Sequence, residues 1–287
     1  MTGARHMSYF NRRVSPAYTF AVAGLTLAIS NTAFAADYYG TDEAFAEESV
    51  YFVVTDRFVN GDTSNDQRAQ GTFDIQLCPN GTNIGYLGGD FKGIANNADY
   101  IAEMGFTSLW ITPIVSNPDS QFTGGGDLSC GAGIGADKGK TGYHGYWADN
   151  FYHVDEHWES ADLNFAQFNA KMENEYGIKT VLDIVANHGS PSYSMPYQID
   201  NFGKLYDENW NLKADHQNLQ PNQLDSNNPL HQWYNTYGGL AQLSDLAESN
   251  PEVMDYLVGA YLKWIGQGVD AFRIDTIAWM PHSFWKE

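Results

Sequence analysis

The feature that most constrains this chain is a fourfold alternation of short apolar runs with helical patterns. The runs "SVYFVVTDRF" (49–58), "FTSLWITPI" (106–114), "KTVLDIV" (179–185) and "VDAFRID" (269–275) are rich in β-branched and aromatic residues, as strands require. Between the first two lies "FKGIANNADYIAEMG" (91–105), with Ile94, Ala98, Ile101 and Ala102 near helical spacing and Gly105 as a stop. A second helical stretch covers 162–176, with Leu163, Phe165, Phe168 and Met172 as its apolar face. In the third, "SNPEVMDYLVGAYLKWIGQG" (249–268), Asn250 suits a cap, Pro251 suits the first helical position, and Val253, Leu257, Tyr261 and Ile265 line one face. Strict alternation of strand and helix predicts an α/β fold, a parallel sheet covered by helices. Four such units with long loops after the strands suit the first half of a (β/α)8 TIM barrel. An open doubly wound sheet fits the same alternation, but no glycine fingerprint for phosphate follows the first strand.

Two stretches interrupt the pattern. A Gly-rich loop is expected over 115–148, and residues 189–245, crowded with Asn, Gln, Pro, Tyr and Gly, are too long for an ordinary connection and suit a small inserted subdomain. The barrel is then expected over 36–188 and again over 246–287. The first 35 residues differ: Arg5, Arg12 and Arg13 precede the apolar run "TFAVAGLTLAIS", and small residues stand at Ala33 and Ala35. This is the pattern of a secretory signal cut after Ala35, with an apolar run too short for a comfortable membrane span; an uncut anchor is the alternative. A secreted protein, extracellular or periplasmic and free of the membrane after cleavage, is expected.

The formal net charge of −20 argues against nucleic acid as a partner and suits an uncharged substrate or bound cations. Cys78 and Cys130 would meet oxidants outside the cytoplasm, as a bridge or as two separate thiols.

The polar residues of the strand runs carry the chemistry. In "VDAFRID", Arg273 and Asp275 share a strand face, so the arginine can hold the carboxylate ionised, as a nucleophile requires; an ion pair closing a strand end is the plainer reading. In "DIVANH", Asp183, Val185 and Asn187 share a face and His188 is expected at the strand's end, entering the same mouth as Asp275. "TGYHGYWADN" (141–150) gathers Tyr143, His144, Tyr146 and Trp147 in a loop, as packing or as a platform for the apolar face of a sugar ring. "NGDTSND" (60–66) crowds Asn60, Asp62, Asn65 and Asp66, with Gly88 and Asp90 following; these hard oxygen donors suit Ca²⁺, or form a turn without metal.

Taken in order, "VVTDRF", "LGGDFKGI", "YHGYW", "DIVANH", "LSDL" and "AFRID" resemble the α-amylase family of glycoside hydrolases, family 13, especially bacterial α-amylases and cyclodextrin glucanotransferases. The resemblance runs from about residue 49 to 287 and implies a retaining enzyme that cleaves α-1,4 bonds of starch or related glucans. It makes Asp275 the nucleophile, Arg273 its partner, Tyr146 the aromatic stacked on the sugar at the cleavage point, and His144 and His188 its hydrogen-bonding neighbours, with Trp147 beside them. It implies that Asn187 and Asp245 hold one Ca²⁺, and that Asn60, Asp62, Asn65, Asp66, Gly88 and Asp90 hold a second. Two positions depart from the family. Ala278 and Trp279 replace the Lys-His pair that often follows the nucleophile strand, and Ala241 stands where cyclodextrin-forming enzymes place a large aromatic, which favours hydrolysis over cyclisation.

Retaining cleavage needs a second carboxyl group about 5–5.5 Å from the first. The family's acid glutamate follows the fifth strand and a third carboxylate follows the seventh; neither motif is found before residue 287. The expectation is an N-terminal part that alone lacks hydrolase activity. A glucan transglycosylase or a non-catalytic glucan-binding protein is the alternative.

Overall fold

The computed structural model describes residues 45–66, 85–122, 124, 140–199, 201–237 and 239–286. The expected signal segment and both cysteines, Cys78 and Cys130, lie outside these residues. In chain order the elements are β1 (Val50–Val53), α1 (Phe91–Ala95), α2 (Ala98–Glu103), β2 (Ser108–Ile111), β3 (Val115–Ser116), β4 (Asn150–Val154) and α3 (Phe165–Tyr176). There follow β5 (Lys179–Val185), β6 (His188–Pro191), β7 (Lys204–Tyr206), β8 (Leu212–Asp215), β9 (Leu243–Asp245), α4 (Pro251–Gly266) and β10 (Ala271–Asp275).

The four apolar runs form one parallel sheet in the order β1-β2-β5-β10. Neighbours in the sheet are thus neighbours in the chain of βα units, as right-handed crossovers through helices produce. The helices bury their apolar faces together. Phe91 of α1 stacks on Phe168 of α3 with ring centroids 5.0 Å apart, and Ile94, Ile101, Phe165 and Met172 are fully buried around them. Each such side chain contributes about 2–3 kcal/mol by leaving water.

Local chemistry sets the ends of the elements. Asn164 and Gln167 form a reciprocal capping box at the start of α3, and Gly177 ends that helix in the left-handed region at φ 65°. Asn250 accepts from the Glu252 N–H ahead of Pro251 at the start of α4. On α4 the buried stripe is Val253, Leu257, Ala260 and Trp264; Ile265, expected on that face, is half exposed because the 3.6-residue period carries the stripe through Trp264.

Three expectations change. The helix expected over 91–105 is two short ones, broken at Asn96 and Asn97; the Asn97 side chain donates to the Gly93 carbonyl at 2.7 Å and competes with the helical ladder. The loop expected over 115–148 begins with β3, which pairs antiparallel with β4. His188 does not end the third strand, which stops at Val185; it opens β6, which pairs antiparallel with β9 and sets His188 opposite Asp245. The turn between them is fixed by the Leu246 N–H donating to the Asn187 carbonyl at 2.9 Å.

Candidate active site

The β5–β10 register sets Arg273 beside Asp183 and Asp275 beside Val185. Strand alternation puts Arg273 and Asp275 on one face, and the guanidinium bridges both acids: Nη1 lies 2.9 Å from Asp275 Oδ1 and 3.1 Å from each oxygen of Asp183. The Asp183 side chain is fully buried, whereas that of Asp275 keeps 24% exposure. Asp183 therefore anchors the arginine and Asp275 faces outward. Asp183 also accepts from the Tyr146 hydroxyl at 2.7 Å and from Trp110 Nε1 at 3.0 Å. Burial pushes its carboxyl up, against the opposing pull of Tyr146 and Arg273. The sequence shows Asp183 only as a polar residue in a strand; its role as the hub, and that of Trp110, depends on cross-strand geometry.

Tyr146 sits in a loop held down by a backbone contact. Gly145 adopts φ 81°, and a Cβ there would lie 2.0 Å from the Pro113 carbonyl oxygen at the end of β2. Only glycine fits such an approach. The Tyr146 N–H donates to His144 Nδ1 at 3.0 Å, so the neutral ring carries its proton on Nε2, which is buried without a partner. Burial pulls the His144 pKa well below the ordinary histidine value, helped by the charges of Lys140 and Arg57. Trp147 is 5% exposed and meets His144 edge to face with centroids 4.9 Å apart, so it both packs and lines the site. His188 is buried and pulled down to about 4, chiefly by burial, while the charge of Asp275 opposes the shift.

These residues share one cleft of about 510 Å³, lined by Tyr143, His144, Tyr146, Trp147, His188 and Asp275 together with Ala241 and Leu243. All six residues proposed from sequence for catalysis and substrate binding come together: five line the cleft, and Arg273 stands behind Asp275. Among the described residues, Asp275 is the one carboxylate that lines it.

The residues expected to hold cations also assemble. Asn187 Nδ2 lies 2.8 Å from Asp245 Oδ1, and Asn235, unremarked in the sequence, donates to Asp245 Oδ2 at 3.1 Å and to Glu248 Oε2 at 2.8 Å. Burial and then the neighbouring Glu248 charge raise the Asp245 carboxyl, so a cation there would relieve an existing penalty. The donor chemistry fits Ca²⁺. In the other group, Asp90 accepts the N–H groups of Gly61, Asp62 and Gly93, and thereby caps α1 and pins the loop. Asn60 Nδ2 lies 2.7 Å from Asp66 Oδ1, and a Cβ at Gly88 would lie 2.4 Å from that same nitrogen. Asn65 Oδ1 is buried with no donor, an orphaned acceptor that a hard cation would satisfy. Asp62 stands at the rim, held down to about 2 by hydrogen bonds from Ser64.

The alpha amylase catalytic domain matches residues 52–284, and the chain belongs to that family. The family and its structural neighbours place the parallel sheet in the (β/α)8 TIM-barrel class. Among similar proteins, the cyclomaltodextrin glucanotransferase of Klebsiella oxytoca is 32% identical over 292 residues, covering 96% of this chain and 39% of that protein. The alpha-amylase of Niallia circulans is 31% identical over 253 residues, covering 84% and 44%. The crystal structure of CldA, a cyclomaltodextrin glucanotransferase with a three-domain ABC distribution, superposes with a TM-score of 0.63 at 32% identity over 83% of this chain and 46% of that one. The chain thus spans about two fifths of the length of these sequence relatives.

Proposed function

We propose that the protein is a retaining α-glucan hydrolase cleaving α-1,4 bonds of starch-like glucans, in which Asp275 forms a covalent glycosyl intermediate. The observation that carries this reading is Asp275 itself, partly exposed in an aromatic-lined cleft and fixed through Oδ1 by Arg273 Nη1 at 2.9 Å. The arginine aims the carboxylate, and Asp183 prevents the arginine from following a ligand outward. Tyr146 offers its ring to the apolar face of a glucose unit. His144 Nε2–H and the neutral His188 offer hydrogen bonds to its hydroxyls without adding charge.

The catalytic acid that protonates the departing oxygen is proposed to come from elsewhere in the protein, since Asp275 alone cannot do both tasks. On this reading the four parallel strands and the helices between them are the first half of the barrel, and 189–245 is a subdomain inserted after its third strand. Ca²⁺ would be held by Asn187 and Asp245 where that subdomain meets the barrel, and by Asn60, Asp62, Asn65, Asp66, Gly88 and Asp90 in the first loop. It would fix loops and take no part in bond cleavage. Export by the N-terminal segment and action outside the cytoplasm complete the proposal.

Trapping tests it. The intact protein treated with a 5-fluoro-α-glucosyl fluoride should gain one glycosyl mass on the peptide carrying Asp275; labelling elsewhere, or inversion at the anomeric carbon, would sink the reading. A transglycosylase is the second reading, favoured by likeness to cyclomaltodextrin glucanotransferases. Ala241, in the cleft wall, discriminates. Ala241→Tyr should raise the share of transfer products if hydrolysis is the parent activity; a parent that already makes mainly transfer products supports the second reading.

A further inference from the structure

Asp155, Glu156 and His157 directly follow β4 and take no part in the cleft lining. One oxygen of each carboxylate and one ring nitrogen lie within 4.8 Å of one another. Adjacent acids on a surface are ordinary; here Asp155 is 1% and His157 2% exposed. His157 Nδ1 is 2.6 Å from Asp155 Oδ1, which leaves Nε2 buried with no partner.

A second buried group points the same way. Tyr86 stacks on the His157 ring, with centroids 3.7 Å apart and planes 3° from parallel, and its hydroxyl is buried with no partner. Burial, and after it the charges of Asp155, Asp56, Glu156 and Asp119, raise the pKa of that hydroxyl. Asp119 in turn hydrogen-bonds Glu156. Burial and the Asp155 charge push Glu156 up to about 7. The crowded acids around one imidazole and the orphaned Tyr86 hydroxyl beside them are groups that a bound cation and its water would satisfy.

We propose that Asp155, Glu156 and His157 form a binding site for a divalent transition ion of the zinc or manganese class. The imidazole decides the class: Ca²⁺ and Mg²⁺ prefer oxygen ligands alone, whereas a mixed nitrogen and carboxylate set suits these borderline ions. Binding exchanges protons for the ion. The proton between His157 Nδ1 and Asp155 Oδ1 leaves to solvent, the three side chains take up the dication, and the 2.6 Å contact opens as that proton departs. Asn117 N–H fixes Asp155 through Oδ2 at 2.9 Å and the His157 backbone N–H holds Oδ1 at 3.1 Å, so the Oδ1 lone pair now turned to His157 Nδ1 is the one the ion would take. The unspent Tyr86 hydroxyl can hold a water carried by the ion.

The test uses the protein saturated with Ca²⁺, so that oxygen-only sites are filled, and titrates it with zinc chloride by calorimetry at pH 7 in two buffers of different ionisation enthalpy. One ion per chain should bind with release of protons, and the unfolding temperature should rise. Glu156→Gln and His157→Gln should each weaken binding on the order of 10- to 100-fold, while Asp275→Asn leaves it unchanged. Glu156 is only partly buried, so Glu156→Gln, checked by its near-ultraviolet dichroism without zinc, decides the matter even if His157→Gln fails to fold. Absence of a stoichiometric site, unchanged affinity in the Glu156 variant, or loss of the site in Asp275→Asn overturns the proposal.

Discussion

The cleft and the β4 loop both bury carboxylates, and they neutralise them in opposite ways. At the cleft, one arginine encoded two residues before Asp275 bridges it to Asp183, and both acids have a cation in place. At the two ends of β4 no arginine is among the partners described for Asp149 and Glu156. Asp149, buried and bonded to Ser116 Oγ at 2.7 Å, is pushed up to about 7 chiefly by burial, and Glu156 is raised to the same range. A carboxylate whose cation is part of the sequence is ready for chemistry; one without it waits for a proton or an ion.

The sharpest way to break this contrast is at its functional end. Asp275→Asn should lower kcat of the intact enzyme on soluble starch by on the order of 10⁴-fold, while Asp149→Asn should leave kcat within a small factor; equal losses would erase the distinction. Arg273→Leu comes next. It strands the fully buried Asp183, and denaturant unfolding should show a loss of about 2–3 kcal/mol, discounted for the arginine's 38% exposure. A loss near zero would mean that Asp183 is already satisfied by Tyr146 and Trp110. Chelation asks whether other acids depend on borrowed cations. With EDTA, stability should fall by about 2–3 kcal/mol relative to Ca²⁺ at a hundred times its Kd, and Asp245→Asn should shrink that difference; no change would count against both calcium groups.

The smallest expected effect is a pair of opposed pH slopes. Asp149 has a folded pKa raised from 3.8 to about 7, so the native state holds its proton longer and stability from this group is lost as pH rises through that window. Asp149→Asn should therefore gain on the parent as pH climbs from 4 to 7, by at most about 1.4 kcal/mol per pH unit. His188 is depressed from 6.5 to about 4, so its contribution is lost as pH falls through that window, and His188→Gln should gain on the parent in the acid direction. Melting temperatures from pH 4 to 8 check both; slopes of the same sign would undo the comparison.

What the sequence makes legible depends on the range of the forces involved. The strands at 179–185 and 271–275 and the cap at Asn250 are legible because they rest on residues within one turn or one strand. The break at Asn96–Asn97 is not legible in the sequence, because the Asn97 side chain competes with the helix only when turned back onto the Gly93 carbonyl. β4 was missed because Asn150 and His153 interrupt its apolar run, and its pairing with β3 spans the long loop. At the site, Arg273 and Asp275 could be paired from strand alternation alone. The hub at Asp183 could not, since Trp110 and Tyr146 reach it across 73 and 37 residues of chain. Asn235 and Tyr86 gave no sequence signal, because nothing in their neighbourhood marks which buried acid they face.

Gly145 has a consequence for how such a cleft can vary. Since the loop rests backbone to backbone on Pro113, the height of Tyr146 above the sheet is set by a mechanical stop rather than by the side chains around it. Residues lining the cleft can be exchanged for others of different size while the aromatic platform stays at its level, and a single methyl group at position 145 would lift the whole platform from its seat.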